Sequence, residues 1–107
     1  VVKEIDVREL QRKLADGEPV HLLDVRQSWE HEVAALPGSQ LVPLHELPTR
    51  IVEVQPAAGA LLVVYCHHGV RSLSAAHFLE RAGIPAVSLA GGIDAWSLEV
   101  DPQVPRY

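Results

Sequence analysis

The run Ala60-Leu61-Leu62-Val63-Val64-Tyr65 constrains the fold more than any other feature of the chain. It has the length of a strand, and in a strand successive side chains point to opposite faces. Both faces here are apolar, so both must be covered. That is the condition of a central strand in a parallel sheet with helices packed on each side. The flanking sequence agrees. Val2-Lys3-Glu4-Ile5, Val20 to Val25, Leu41-Val42 and Ala86 to Leu89 read as further strands. Helical segments lie between them. Val7 to Ala15 places Val7, Leu10 and Leu14 at helical spacing behind an Asp6 cap, and Gly17 closes it. Ser28 is a candidate cap for Trp29 to Val33, and Leu47 to Val54 carries Pro48 in its first turn. Ser72 to about Ala82 aligns Ala75, Phe78, Leu79 and Ala82 on one face, and Ile93 to Leu98 forms the last helix. Strands alternating with helices predict an α/β fold with a central, mostly parallel five-stranded sheet and helices on both faces. The 107 residues suit one domain spanning 1–107.

Charge and cysteine count narrow the function. Nine basic side chains against fourteen acidic ones give a net charge of −5, which argues against nucleic acid, because a phosphate backbone demands clustered Lys and Arg. No apolar run approaches the roughly 20 residues of a membrane-spanning helix, so no membrane partner is expected. With no signal-like start, a cytoplasmic location is the expectation. The lone cysteine, Cys66, excludes an internal disulfide and any zinc site built on several cysteines.

Open α/β sheets bind ligands beyond the carboxyl ends of their strands. Cys66 sits at such an end, followed by His67-His68-Gly69-Val70-Arg71-Ser72. Gly69 allows the chain to curl so that loop N–H groups converge on the sulfur. The helix that follows turns its positive end toward it, and Arg71 adds a full charge. These features favour thiolate over thiol, so a reactive Cys66 with a depressed pKa is expected. A lone intracellular cysteine is more often a small buried hydrophobe. The strand end, the glycine and the arginine together reverse that default.

Cys66-x-x-Gly69-x-Arg71-Ser72 after an apolar strand resembles the active-site loop of the rhodanese family of sulfurtransferases. Leu23-Asp24-Val25-Arg26, then Leu36-Pro37-Gly38-Ser39 with Val42-Pro43-Leu44, and Gly91-Gly92-Ile93-Asp94-Ala95-Trp96 match in the family's order across nearly the whole chain. The resemblance implies the rhodanese-like three-layer fold and a sulfur relay. In that relay Cys66 takes a sulfane sulfur from a donor such as thiosulfate or a persulfide, holds it as a persulfide, and passes it to a thiol or cyanide. It also implies that His67, His68, Gly69, Val70, Arg71 and Ser72 form the substrate-binding loop, that no cofactor is needed, and that a sulfur-carrier protein is a further candidate partner. One departure is Ala34-Ala35, where the family commonly has Gly-His before its Ile-Pro-Gly.

Blander readings attach to the remaining residues. Asp24 and Arg26 end a strand beside the loop and either orient it by hydrogen bonds or form a structural ion pair. Trp29 and Trp96 read as core packing, Gly91 and Gly92 as a tight turn, and His77 as a helix-surface residue. His67 and His68 are sequence neighbours that should not share a face, and no ligand pair at suitable spacing accompanies them, so no metal is expected. Arg71 has carboxylates within reach in Asp24 or Glu30, either of which would blunt its pull on an anionic donor.

Rival readings exist. Related cysteine phosphatases use a longer Cys-to-Arg loop, and the four residues between Cys66 and Arg71 enclose a pocket suited to a sulfur atom rather than a phosphate. Non-catalytic regulatory modules of this fold often lack the cysteine, which this chain keeps. The ending Asp101-Pro102-Gln103-Val104-Pro105-Arg106-Tyr107 resembles the tails of rhodanese domains fused behind adenylyltransferases and those of free-standing members, leaving both contexts open.

Overall fold

A computed structural model describes residues 2–107 of the protein. Its sheet comprises β1 (Lys3–Ile5), β2 (Val20–Asp24), β3 (Gln40–Leu41), β4 (Leu61–Tyr65) and β5 (Val87–Leu89). The strand order is β1-β5-β4-β2-β3 and every pairing is parallel. The apolar run found from sequence is the central strand, with His21, Leu22 and Leu23 of β2 in register with Leu62, Val63 and Val64.

Alternation along β4 builds two cores. Leu62, Val64 and the following Cys66 face one way, packing with Ala75, Ala76 and Leu79 of α4 (Val70–Arg81) and Leu47 of α3 (Leu47–Arg50). Val63 and Tyr65 face the other way, packing with Val7 and Leu10 of α1 (Val7–Ala15) and with Ile93 and Trp96 of α5 (Gly92–Glu99). The expected three layers result. Each large aliphatic side chain buried in them contributes about 1.5–3 kcal/mol relative to exposure. Among the described residues, no helix is long and apolar enough to cross a membrane.

Local signals set most element ends. Asp6 caps α1 by accepting the Glu9 N–H at 2.8 Å. Four expectations need correction. Ser28 is the first residue of α2 (Ser28–Val33) and not its cap; Gln27 precedes the helix in extended conformation, its N–H donating to Glu30 Oε1 at 3.0 Å. The segment 47–54 is not one helix: α3 is a single turn between 3-10 turns at Leu44–Glu46 and Ile51–Glu53, each closed by an i→i+3 bond. Helix α4 starts at Val70 and not at Ser72, because Gly69 ends the loop in a left-handed conformation and the chain turns helical directly after it. Trp29 is 58% exposed and lies outside the core, whereas Trp96 is buried as expected.

Candidate active site

Cys66 follows the last residue of β4 and is 1% exposed. Gly69 adopts φ +104°, where a Cβ would press on the Gly91 N at 3.2 Å, so glycine is required there. The resulting curl brings the Gly69 N–H to 3.1 Å and the Ser72 N–H to 3.4 Å from Cys66 Sγ. The thiol in turn lies 3.5 Å from Ser72 Oγ, which is 2.7 Å from Ser88 Oγ on β5. Val70 and Arg71 are the first two residues of α4, and N–H groups at that position have no acceptor within the helix. The sulfur therefore accepts from two backbone N–H groups, those of Gly69 and Ser72, at the positive end of a helix.

The first turn of α5 clamps the loop from the other side. The Ile93 N–H donates to the Cys66 carbonyl at 2.9 Å and the Asp94 N–H to the His67 carbonyl at 3.1 Å. Gly92, at φ +61°, lies against those same two carbonyls, and any Cβ there would overlap them. The paired glycines thus permit close approach of two backbones as well as a turn.

Charged groups around the loop are matched in pairs. Arg71 makes a bidentate bridge to Glu30, at 2.6 and 2.8 Å, so Glu30 and not Asp24 is its partner. The Arg71 guanidinium holds the Glu30 carboxyl down to about 2 against the opposing effect of burial. Asp24 and Arg26 are both fully buried. Arg26 Nε and Nη2 reach the two Asp24 oxygens at 2.9 and 2.7 Å. Its other N–H groups are taken by the Ala34 carbonyl, the Glu30 carbonyl and Tyr107 Oη. Among the described residues, neither Asp24 nor Arg26 bonds a side chain of the loop 66–72; they form the structural ion pair. Their link to the site is indirect. Tyr107 Oη accepts from Arg26 at 2.8 Å and donates to Glu30 Oε2 at 2.6 Å, joining the buried pair to the Glu30–Arg71 pair. Burial, and then the bond to Glu30, push the Tyr107 hydroxyl up to about 12, so it remains a donor.

An aromatic stack lies over the loop. The His67 ring is sandwiched between His68 and Tyr107, with centroids 3.9 Å away on each side, and Trp29 meets Tyr107 edge-on at 5.7 Å. The two histidines do share a face, contrary to the expectation for sequence neighbours, because the curl at Gly69 breaks strand alternation. His68 Nε2 lies 3.7 Å from Asp94 Oδ2, while Asp94 Oδ1 accepts from Arg106 at 2.9 Å. His67, His68 and Asp94 are the residues with metal-ligating chemistry that the fold gathers here.

The structure thus brings together Cys66 through Ser72, selects Glu30 as the partner of Arg71, and adds Ser88, Asp94, Arg106 and Tyr107. Asp94 lies within the glycine-rich motif and was findable from it. Tyr107 reaches Glu30 across 77 positions, and no local pattern announces such a contact. His77 is exposed on α4, as expected of a helix-surface residue. It borders an open groove of about 640 Å³ lined also by Lys3, Leu62 and Arg81 at the amino ends of the strands, opposite Cys66.

Comparison with known proteins bears on this site. Residues 6–99 match the family described as Rhodanese-like domain. The chain is 37% identical over 98 residues to a sulfurtransferase of Allochromatium vinosum, covering 91% of this chain and 90% of that one. It is also 37% identical over 112 residues to the chloroplastic Rhodanese-like/PpiC domain-containing protein 12 of Arabidopsis thaliana, covering 99% of this chain but only 38% of that protein. A rhodanese-like domain protein from Staphylococcus aureus has the same fold, with a TM-score of 0.83 at 30% identity and 99% of each chain covered.

Proposed function

Because the chain belongs to the rhodanese-like domain family, we propose that it is a sulfurtransferase in which Cys66 carries a sulfane sulfur as a persulfide. The donor is thiosulfate or a persulfide and the acceptor is a thiol or cyanide. One observation carries the reading: the only sulfur of the chain is buried within a curl of backbone N–H groups at the head of α4. Such a cradle stabilises an anionic sulfur wherever it sits in the curl, on Sγ or on a second sulfur bound to it.

The reaction balances without a cofactor. The Cys66 thiolate attacks the outer sulfur of thiosulfate, the S–S bond to the sulfonyl group breaks, and sulfite leaves with the electron pair. The product is a Cys66 persulfide anion. A thiolate or cyanide then attacks the terminal sulfur, and the Cys66 thiolate leaves as the next turnover's nucleophile. Loop N–H groups oriented before reaction need no reorganisation as charge shifts by one sulfur. Glu30 neutralises Arg71, so the loop mouth holds little free positive charge for a dianion, and thiosulfate binds weakly. Cys66 is almost fully covered, which selects slim donors and acceptors that present a terminal sulfur or carbon end-on.

Asp24 and Arg26 serve as supports, their pair bracing the segment that carries Glu30. The active unit is the domain spanning 1–107, acting in the cytoplasm on small sulfur compounds or on a sulfur-carrier protein. The test is intact-mass measurement before and after addition of thiosulfate or a persulfide donor. Gain of one sulfur by the chain, lost on adding cyanide with release of thiocyanate, supports the reading. A chain that never gains sulfur from either donor overturns it.

A further inference from the structure

The loop carries a second set of donor atoms that sulfur transfer leaves unused. The imidazoles of His67 and His68 and the carboxylate of Asp94 each offer one ligand atom, and all three atoms lie within 4.8 Å of one another. Three separate constraints assemble them. The curl at Gly69 stacks the two rings, the clamp from Asp94 N–H to the His67 carbonyl brings α5 over the loop, and Tyr107 packs against the far face of His67. We propose that His67, His68 and Asp94 form a binding site for a divalent ion of the Zn²⁺ type at the mouth of the sulfur loop, and that an ion bound there stops sulfur transfer.

The donor set selects the class of ion. Two imidazoles and one carboxylate suit Zn²⁺ and its neighbours and leave one of four positions open, whereas Mg²⁺ and Ca²⁺ require oxygen ligands. Support from behind is also present. Arg106 holds Asp94 Oδ1 and leaves Oδ2 on the side of His68. A ligating carboxylate braced through its other oxygen is the usual arrangement of a metal site.

Coordination requires a small contraction. Zn–N and Zn–O bonds of about 2.0–2.2 Å place neighbouring ligand atoms closer together than the present spread. His68, with a side chain 62% exposed, is free to turn inward and tilt out of the stack, while His67 and Asp94 stay held. The blocking effect rests on the sulfur-transfer reading, since His67 follows Cys66 directly and an ion on it closes the approach to the loop. The binding itself does not depend on that reading.

The experiment uses the full chain without a polyhistidine tag and Zn²⁺ alone as the probe. Calorimetry on the Cys66→Ser chain removes the thiol as a ligand and needs no activity. One ion per chain is expected, with affinity at least tenfold weaker in His68→Ala and in Asp94→Asn added to that background. His68 is mostly exposed, so its variant remains folded even if Asp94→Asn does not. No binding, or binding unchanged in both folded variants, overturns the site. With Cys66 present, Zn²⁺ should inhibit transfer, a chelator should reverse it, and Asp94→Asn should require at least tenfold more Zn²⁺. Equal inhibition with and without Asp94 overturns the blocking role and makes Cys66 itself the ligand. A chain that binds Zn²⁺ but never accepts sulfur refutes the sulfurtransferase reading and leaves the metal site standing.

Discussion

Replacing Glu30 by Gln tests whether the pair it forms with Arg71 governs both stability and donor choice. The substitution keeps the shape and removes the charge that accepts two bonds from Arg71 and one from Tyr107. The Glu30 carboxyl is lowered from 4.5 to about 2, Arg71 being the first cause. A shift of that size corresponds to about 3 kcal/mol at about 1.4 kcal/mol per unit. Arg71 is 34% exposed in its side chain, so water screens part of the attraction and about 2 kcal/mol is the working figure. For a domain of this size that lowers Tm by roughly 10 °C. The pH dependence follows from the direction of the shift. A lowered carboxyl stabilises the fold fully above its ordinary pKa and loses that contribution as pH falls toward the folded value. The gap between wild type and Glu30→Gln should be full at pH 7, narrow below about pH 4.5, and close near pH 2. Urea unfolding from pH 7 to pH 3 measures it. The same substitution releases Arg71 beside the loop, so KM for thiosulfate should fall while KM for an uncharged persulfide donor stays level. A stability gap that is constant across the pH range, or a thiosulfate KM that does not move, would refute the reasoning.

Other outcomes follow from the loop. Cys66→Ser should abolish persulfide formation by mass and all transfer from thiosulfate to cyanide, with an unchanged far-ultraviolet circular dichroism spectrum, because a hydroxyl cannot carry a sulfane sulfur. Gly92→Ala should cost about 1–3 kcal/mol in urea unfolding and sharply reduce kcat, since its Cβ would push the Cys66 and His67 carbonyls away from α5. Aryl phosphates should not be hydrolysed, because four residues between Cys66 and Arg71 make too small a ring of amides for three phosphate oxygens; hydrolysis that disappears in Cys66→Ser would count against that.

What sequence reveals about this chain is what depends on local periodicity. The two-faced apolar run of β4 locates the middle of the sheet, and the next residue is the nucleophile of the proposed reaction. Asp6 announces its helix because capping is a contact over three positions. The start of α4 escapes the same logic, since its cap is a glycine at positive φ rather than a side-chain acceptor. Trp29 reads as core from hydrophobicity alone, yet adjacent helix residues point about 100° apart, and in α2 it is Glu30 that goes inward to meet Arg71 while Trp29 stays exposed. Arg71 reveals its need for a carboxylate, but choosing between Asp24 and Glu30 required knowing that Arg26 already occupies both Asp24 oxygens. Tyr107 and the gathering of His67, His68 and Asp94 arise from chain crossings that have no signature in composition or spacing.

The strand order has a consequence for how the chain is made. Among the described residues β1 pairs only with β5, so Lys3 must wait for Val87 before it finds its neighbour. On a ribosome, the earliest of these five strands is therefore the one that stays unpaired until Val87 has emerged. Such distant pairings slow folding, because the entropy of closing the long loop is lost before any contact compensates for it. In the interval β2 and β4 can join, leaving the strand edge that β5 will occupy open to other chains. Synthesis that stalls before Val87 should yield aggregates, not an assembled fold.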